Sequence, residues 1–246
     1  MTSAAAPFSN NVPILLLPPS EGKAEGGIDA AWEPSEGAFG IPLSAARMTV
    51  ASALARSKGG DERMLGVRGA AFDRGQAANR TLIGAPTMPA WQRYTGVVWT
   101  ALDPASVGAV NRRRIIVVSG LLGLVRGDDP VPDYRLKMAA SLPPLGKLST
   151  WWRDDASAAL VTTAKRSRPR RMVIDLLPLE HRAALDPDAL AESHAVRVDL
   201  VTADGRAGGH GGKTAKGELA RALLTEGVAA LDTWEHPNYH LDVNEL

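Results

Sequence analysis

The segment Arg114–Val118, RIIVV, constrains this chain most. It is a continuous β-branched run without polar alternation, the pattern of a strand covered on both faces. Pro13–Leu17 (PILLL) is a second such run, stopped by Pro18-Pro19. Met172–Leu177 and Ala195–Thr202 read as two further strands, and the latter alternates Val196, Val198 and Leu200 with Arg197 and Asp199, as a strand does with one wet face or at an edge. Between them the spacing predicts helices over 43–58, 70–82, 90–102, 145–164 and 214–224, with Gly59-Gly60 closing the first as a C-cap. Strands that need two covers, alternating with helices, specify an α/β fold: one compact domain with a mixed, largely parallel central sheet flanked by helices. No linker divides residues 1–246; 1–12 reads as a loose leader and 232–246 as a peripheral tail.

Composition narrows the function classes. With 28 basic and 27 acidic side chains the net charge is +1, so any affinity for polyanions must come from a local patch. There are no cysteines, which removes disulfides, thiol nucleophiles, thiolate zinc sites and iron–sulfur clusters, and fits an intracellular setting. The apolar stretch 115–125 is interrupted by Ser119, Gly120 and Gly123 and falls short of the ~20 residues of a membrane helix. The expectation is a cytoplasmic protein with no membrane partner.

Each expected strand runs into a polar segment carrying Gly or Pro. The first leads to Ser20, Glu21 and Lys23; the second to Ser119, Gly120, Arg126, Asp128 and Asp129; the third to Glu180 and His181; the fourth to His210, Lys213 and Lys216. Ligands of open α/β sheets gather beyond the strand C-termini, so these segments are the candidate rim of a cleft. Solvation alone also makes such loops polar. The seven lysines among 21 arginines sharpen the case, because Lys23, Lys137, Lys213 and Lys216 all fall in motif segments. A lysine offers a compact charge that can point at phosphate or lose its proton when buried.

GRAGGHGGKTAKG follows a strand and precedes a helix, but a phosphate-binding P-loop needs glycine where Ala207 stands. A glycine-rich helix start with Lys213 and Lys216 still suits an anion, and His210 inside it is the histidine best placed for proton transfer. No two histidines have zinc-hydrolase spacing, and Asp128, Asp129 and Asp175 are the only carboxylates suggesting a metal; no metal or cofactor is assigned. Arg93 and Tyr94, beside Trp99, either face the cleft or belong to the core. The cluster Lys165, Arg166, Arg168, Arg170 and Arg171 reads as a solvated bend.

LLLPPSEGK (15–23), APTMPAWQRYTGVVWTALD (85–103), VVSGLLGLVRGDDPVPDYRLKM (117–138), WWR (151–153) and GHGGKTAKGELARALL (209–224), in this order, resemble the YaaA (UPF0246, DUF328) family of peroxide-stress proteins, in its actinobacterial branch. The resemblance implies a protein that limits iron-driven damage under hydrogen peroxide and binds DNA without sequence preference through a helix-hairpin-helix. That element would span 43–82 with its hairpin at Leu65–Gly69, Gly66, Arg68 and Gly69 meeting the phosphate. Gly212 replaces an asparagine common in relatives, and DLLPLEH (175–181) replaces a Ser- and Tyr-bearing segment, as in a paralogue recruited to a different small molecule. In that alternative the chain is an enzyme on an anionic, nucleotide-like substrate: Lys213 and Lys216 hold the anion, Ser20, Lys23, Arg93, Tyr94, Ser119, Arg126 and Arg135 line or orient it, and His210 or Glu21 moves protons. Direct iron binding is the reading the residues support least.

Overall fold

In a computed structural model, residues 11–202 and 210–246 are described. The central sheet has six strands: β1 (Ile14–Leu17), β2 (Ile115–Ser119), β3 (Gly123–Arg126), β4 (Val173–Asp175), β5 (Ala195–Val201) and β6 (His240–Glu245). Their order is β6-β5-β4-β1-β2-β3. β1 lies at the centre, parallel to β2 with Leu15 opposite Ile115, and parallel to β4 with Leu15 opposite Ile174. β4 and β5 are also parallel, whereas β3 and β6 close the two edges antiparallel. The sheet is therefore mixed with a parallel middle. Every residue of β1, β2 and β4 is buried, which is what their unbroken apolar runs require. Residues 240–245 of the expected tail supply the edge strand β6.

Six helices matter for the site: α1 (Gly40–Arg56), α2 (Glu62–Leu65), α3 (Ala70–Arg80), α4 (Val97–Leu102), α5 (Arg153–Arg166) and α6 (His210–Glu226). α5 packs on α1 and β3, and α6 packs on α4 and β5. The crossing of α6 over α4 is close because Gly217 has no side chain: a Cβ there would lie 2.3 Å from the Val98 carbonyl oxygen. One core cluster joins the sheet to these helices, with Trp32, Trp99 and Trp152 fully buried in it. Arg47 of α1 is also buried, donating to the carbonyls of Pro34, Glu36, Leu122 and Leu124, so it ties the helix to the β2–β3 turn. No helix among the described residues is long and apolar enough to cross a membrane.

Three helix expectations change. The stretch 90–102 is two helices, Ala90–Arg93 and α4, because Thr95 donates to the Gly22 carbonyl and Gly96 lies against Ser20. The PPSEGK segment is docked into that break. In 145–164, Gly146-Lys147 forms a two-residue hairpin with Ser141-Leu142 before the helices begin. Finally, 43–82 is not a pair of long helices around a hairpin. α1 ends at Arg56, and the turn joins α3 to the single-turn α2, which Asp61 caps by accepting from Met64 N.

Candidate functional site

β1, β2, β4 and β5 run parallel, so their C-terminal ends share one rim. There a cavity of about 550 Å³ is lined by residues 18–23, 96–99, 135–139, Pro178, Glu180, His181 and Lys213, together with Leu65 and Val67 of the turn after α2. Ser20, Glu21, Lys23, Arg135 and Lys213 of the expected candidates meet in it. Its ionisable lining holds four permanent or potential cations (Lys23, Arg135, Lys137 and Lys213), the carboxylates Glu21 and Glu180, and the imidazole of His181.

Lys23 is the buried lysine of this group. Ala24 N donates to the Arg93 carbonyl and Lys23 bridges Tyr94, which fixes the backbone on either side and turns the side chain inward. Nζ donates to the Ser20 carbonyl at 2.6 Å and lies 4.6 Å from the centre of the Tyr134 ring and 5.6 Å from that of Tyr94. Burial, reinforced by the neighbouring Arg135 guanidinium, lowers its pKa to about 7. Near neutral pH this lysine is thus a mixture of ammonium and free amine.

Behind Lys23 runs a chain of hydroxyls. Tyr94 and Tyr134 share a hydrogen bond of 3.0 Å, and Tyr134 shares one of 2.8 Å with Ser119 at the end of β2. The Ser119 oxygen accepts from the amides of Leu121 and Leu122. Burial raises the pKa of both tyrosines, so they remain neutral phenols. Tyr94 and Ser119 therefore stand behind the lining. Arg93 is fully buried and donates to the carbonyls of Ala24, Gly26 and Val131, which makes it a clamp between the stretch that follows PPSEGK and Val131. Arg135 donates to Asp133 and to its neighbour's carbonyl, and its backbone is held by buried Asn79 of α3: Arg135 N donates to Asn79 Oδ1 at 3.0 Å, and Asn79 Nδ2 donates to Arg135 O at 2.7 Å and Gly59 O at 2.9 Å.

Lys216 points elsewhere. Its Nζ donates to the Leu176 carbonyl at 2.7 Å, and burial lowers its pKa against the pull of Asp199 and Asp175. Asp175 is fully buried, accepting from Leu177 N and from Arg182. Arg126 is paired with Asp128, and Asp129 accepts from Ala38 N and Arg126 N. These groups hold strand ends in place and are not in the cavity lining. Among the described residues no cluster of three or more metal-ligating side chains occurs. His210 begins α6, but its side chain lies outside the described residues.

The turn carries Gly66 at φ 74, a left-handed conformation that glycine accepts without strain. A Cβ there would also strike Lys137 Cε at 1.8 Å. Leu65 and Val67 face the cavity, while Arg68 is exposed beside Glu62 at 3.4 Å and Gly69 caps α3. Turn and cavity are therefore one region. Sequence reasoning missed Asn79 and Tyr134; it placed Lys137 in a motif segment without giving it a role, and it named His181 on the rim while preferring His210 for proton transfer. The His181 imidazole is only 7% exposed, and burial, then repulsion from Lys23 and Lys216, lowers its pKa to about 4. A second hollow of about 710 Å³ is lined only by residues between Leu231 and Leu241, and no strand-end candidate reaches it.

The family model for the peroxide stress protein YaaA matches residues 14–244. A UPF0246 protein of Streptomyces coelicolor is 37% identical over 227 residues, covering 88% of this chain and 84% of its own. UPF0246 proteins of Corynebacterium glutamicum and Corynebacterium efficiens are 32% and 34% identical over 217 residues, covering 85% and 86% of this chain and 84% and 85% of theirs. The family match takes in the whole sheet but for the last residue of β6, and every segment that lines the cavity. On this ground the chain belongs to the YaaA peroxide-stress family, with actinobacterial relatives.

Proposed function

We propose that this chain serves in the response to hydrogen peroxide as a cytoplasmic protein that binds DNA without sequence preference, limiting iron-driven damage. One observation supports the reading above the others: the turn after α2 and the cationic strand ends line a single cavity. With a net charge of +1 the molecule has no general attraction for DNA, so the phosphates must be met locally. Arg68 and Lys213 are exposed and suit phosphate contact; Gly69 leaves open space, with none of the described residues within 4 Å of where a Cβ would stand. The test is a titration with nonspecific duplex DNA at several salt concentrations. Each phosphate contact contributes about −0.9 to the slope of log K against log salt, so this footprint should give roughly −3 to −5. Arg68→Glu and Lys213→Glu should each flatten the slope by about 1 and weaken binding at low salt roughly tenfold. Affinity that is absent, or indifferent to salt, defeats the DNA reading.

A second reading rests on Lys23. An amine with a pKa of about 7 inside a cavity, backed by the Tyr94–Tyr134–Ser119 hydroxyl chain, suits proton transfer on a small anionic molecule. Lys213, Lys137 and Arg135 would hold the anion, and Glu21 would take or return a proton at the mouth. Lys213→Ala should weaken binding of an anionic ligand tenfold or more. Full affinity in that variant would remove Lys213 from the role.

A further inference from the structure

The cavity wall holds a polar group whose hydrogen bonding the described residues leave incomplete. His181 is more than nine-tenths buried and lines the cavity; its Nδ1 is enclosed without a hydrogen-bond partner among them, and its Nε2, also without one, keeps accessible surface and is the nitrogen an occupant can reach. Glu180 Oε1 stands 3.5 Å from Nδ1, outside hydrogen-bond geometry. An occupant that displaces water from Nε2 must replace that hydrogen bond, because a polar atom covered without a partner is costly. The imidazole is neutral near pH 7, so it can give one hydrogen bond and accept one but cannot pair with an anion as a charge. A phosphate beside it would also meet the Glu180 carboxylate. The anionic end of any occupant must therefore go to Lys213, Lys137 and Arg135, and something uncharged must face His181. Apart from Ser20, the remaining side chains of the lining are apolar and broad, with Val67, Val98, Trp99, Met138 and Pro178. A flat heterocycle fits such walls, and its edge carries donors and acceptors side by side, which satisfies either tautomer of the imidazole.

From these constraints we infer that the cavity takes a nucleoside monophosphate, with its phosphate on the Lys213, Lys137 and Arg135 cations and the edge of its base hydrogen-bonded to His181. This deepens the second reading above and depends on it. It makes His181 a residue that selects the occupant.

The test is calorimetric titration of the full chain with the four common ribonucleoside monophosphates and with inorganic phosphate. At least one nucleotide should bind ten or more times as tightly as phosphate. His181→Phe should remove that advantage while leaving phosphate affinity within twofold, and His181→Gln should restore part of it. Lys213→Ala should weaken both probes. Should His181→Phe fail to fold, nitrogen NMR of the histidine rings in the unsubstituted protein decides: the His181 resonances should move on adding nucleotide and stay in place on adding phosphate. Phosphate bound as tightly as every nucleotide overturns the inference and leaves an anion cavity standing. Binding of neither probe overturns the inference and the small-molecule reading together. A nucleotide preference that survives His181→Phe assigns selection to other residues and overturns the selecting role of His181.

Discussion

Lys23 occupies a position where a charge is poorly tolerated and a neutral amine is not. Its pKa falls from 10.5 to about 7, so between those values the unfolded chain binds the proton that the folded chain has released. Stability must therefore rise with pH across that window, and below about pH 7 the full cost of the buried ammonium is present. The shift corresponds to a cost on the order of 4–5 kcal/mol. Lys23→Met keeps most of the apolar stem and removes the charge. It should stabilise the fold by roughly 1–3 kcal/mol at pH 6.5, after allowance for the lost bond to Ser20, and the gain should shrink toward pH 10. Urea unfolding at pH 6.5, 8 and 9.5 checks this, and two curves that stay parallel with pH would contradict the buried-ammonium account. Asn79 makes the opposite case. Two of its hydrogen bonds hold Arg135 against α3 and a third holds Gly59, so Asn79→Ala should destabilise by about 2–4 kcal/mol, because Arg135 N and two carbonyls lose their partner. Urea unfolding measures that loss, and a change under ~1 kcal/mol would show that water replaces the amide. Lys23 was legible in the sequence as a lysine retained beyond a strand end. Asn79 was not, because a lone asparagine in a helix carries no spacing signal, and only the fold brings the 135 segment to it.

At the scale of elements, the crossing of α6 over α4 sets where Lys213 stands. Two opposed effects act on a substitution in α6. Glycine to alanine in a helix interior gains about 1 kcal/mol in propensity, whereas forcing an atom into a filled contact costs about 1–3 kcal/mol or more. At Gly217 the new Cβ would be 2.3 Å from Val98 O and 2.7 Å from Ala101 Cβ, so the clash wins. Gly217→Ala should lose about 1–2 kcal/mol net and weaken whatever Lys213 binds. At Gly212 the nearest atoms are 3.8 Å away on Tyr239, an ordinary contact, so Gly212→Ala should fold at least as stably as the natural chain. Thermal unfolding of the pair should show opposite signs, and equal shifts would mean that the crossing yields. The same comparison shows that packing among the described residues does not demand the glycine at 212, since a Cβ there would make only an ordinary contact with Tyr239. The buried strands were legible because two-sided burial writes itself as an apolar run. The break at Thr95-Gly96 was not, since its cause, the docking of Ser20 and Gly22, lies more than 70 residues away in sequence.

Across the whole molecule, the sheet has a parallel centre whose strands are covered by helices and two antiparallel edges that are managed differently. β3 is joined to β2 by a tight turn, and Trp152 Nε1 donates to the Gly120 carbonyl inside that turn. β6 instead comes from the last residues and is exposed along most of its length, Leu241 alone being half-buried. That explains why HLDVNE gives so weak a sequence signal: the strand contributes a ladder of backbone pairs, not apolar burial. The ladder runs along β5 from Val196 opposite Glu245 to Val201 opposite His240. Without β6, β5 would present a seven-residue edge with Val196, Val198 and Leu200 beside it, a ready template for pairing with a second chain. The acidic residues Asp242 and Glu245 on β6 make the native edge a poor template by comparison. A chain ending at Trp234 should therefore self-associate as its concentration rises, beyond whatever assembly the full chain shows. Light scattering over a concentration series, paired with amide exchange at 196–201, separates the possibilities. Protection there should fall in dilute truncated protein and return as the assemblies form. Protection that persists in the dilute truncated chain would mean that β5 does not depend on β6, and that the sheet closes at β5 by its own packing.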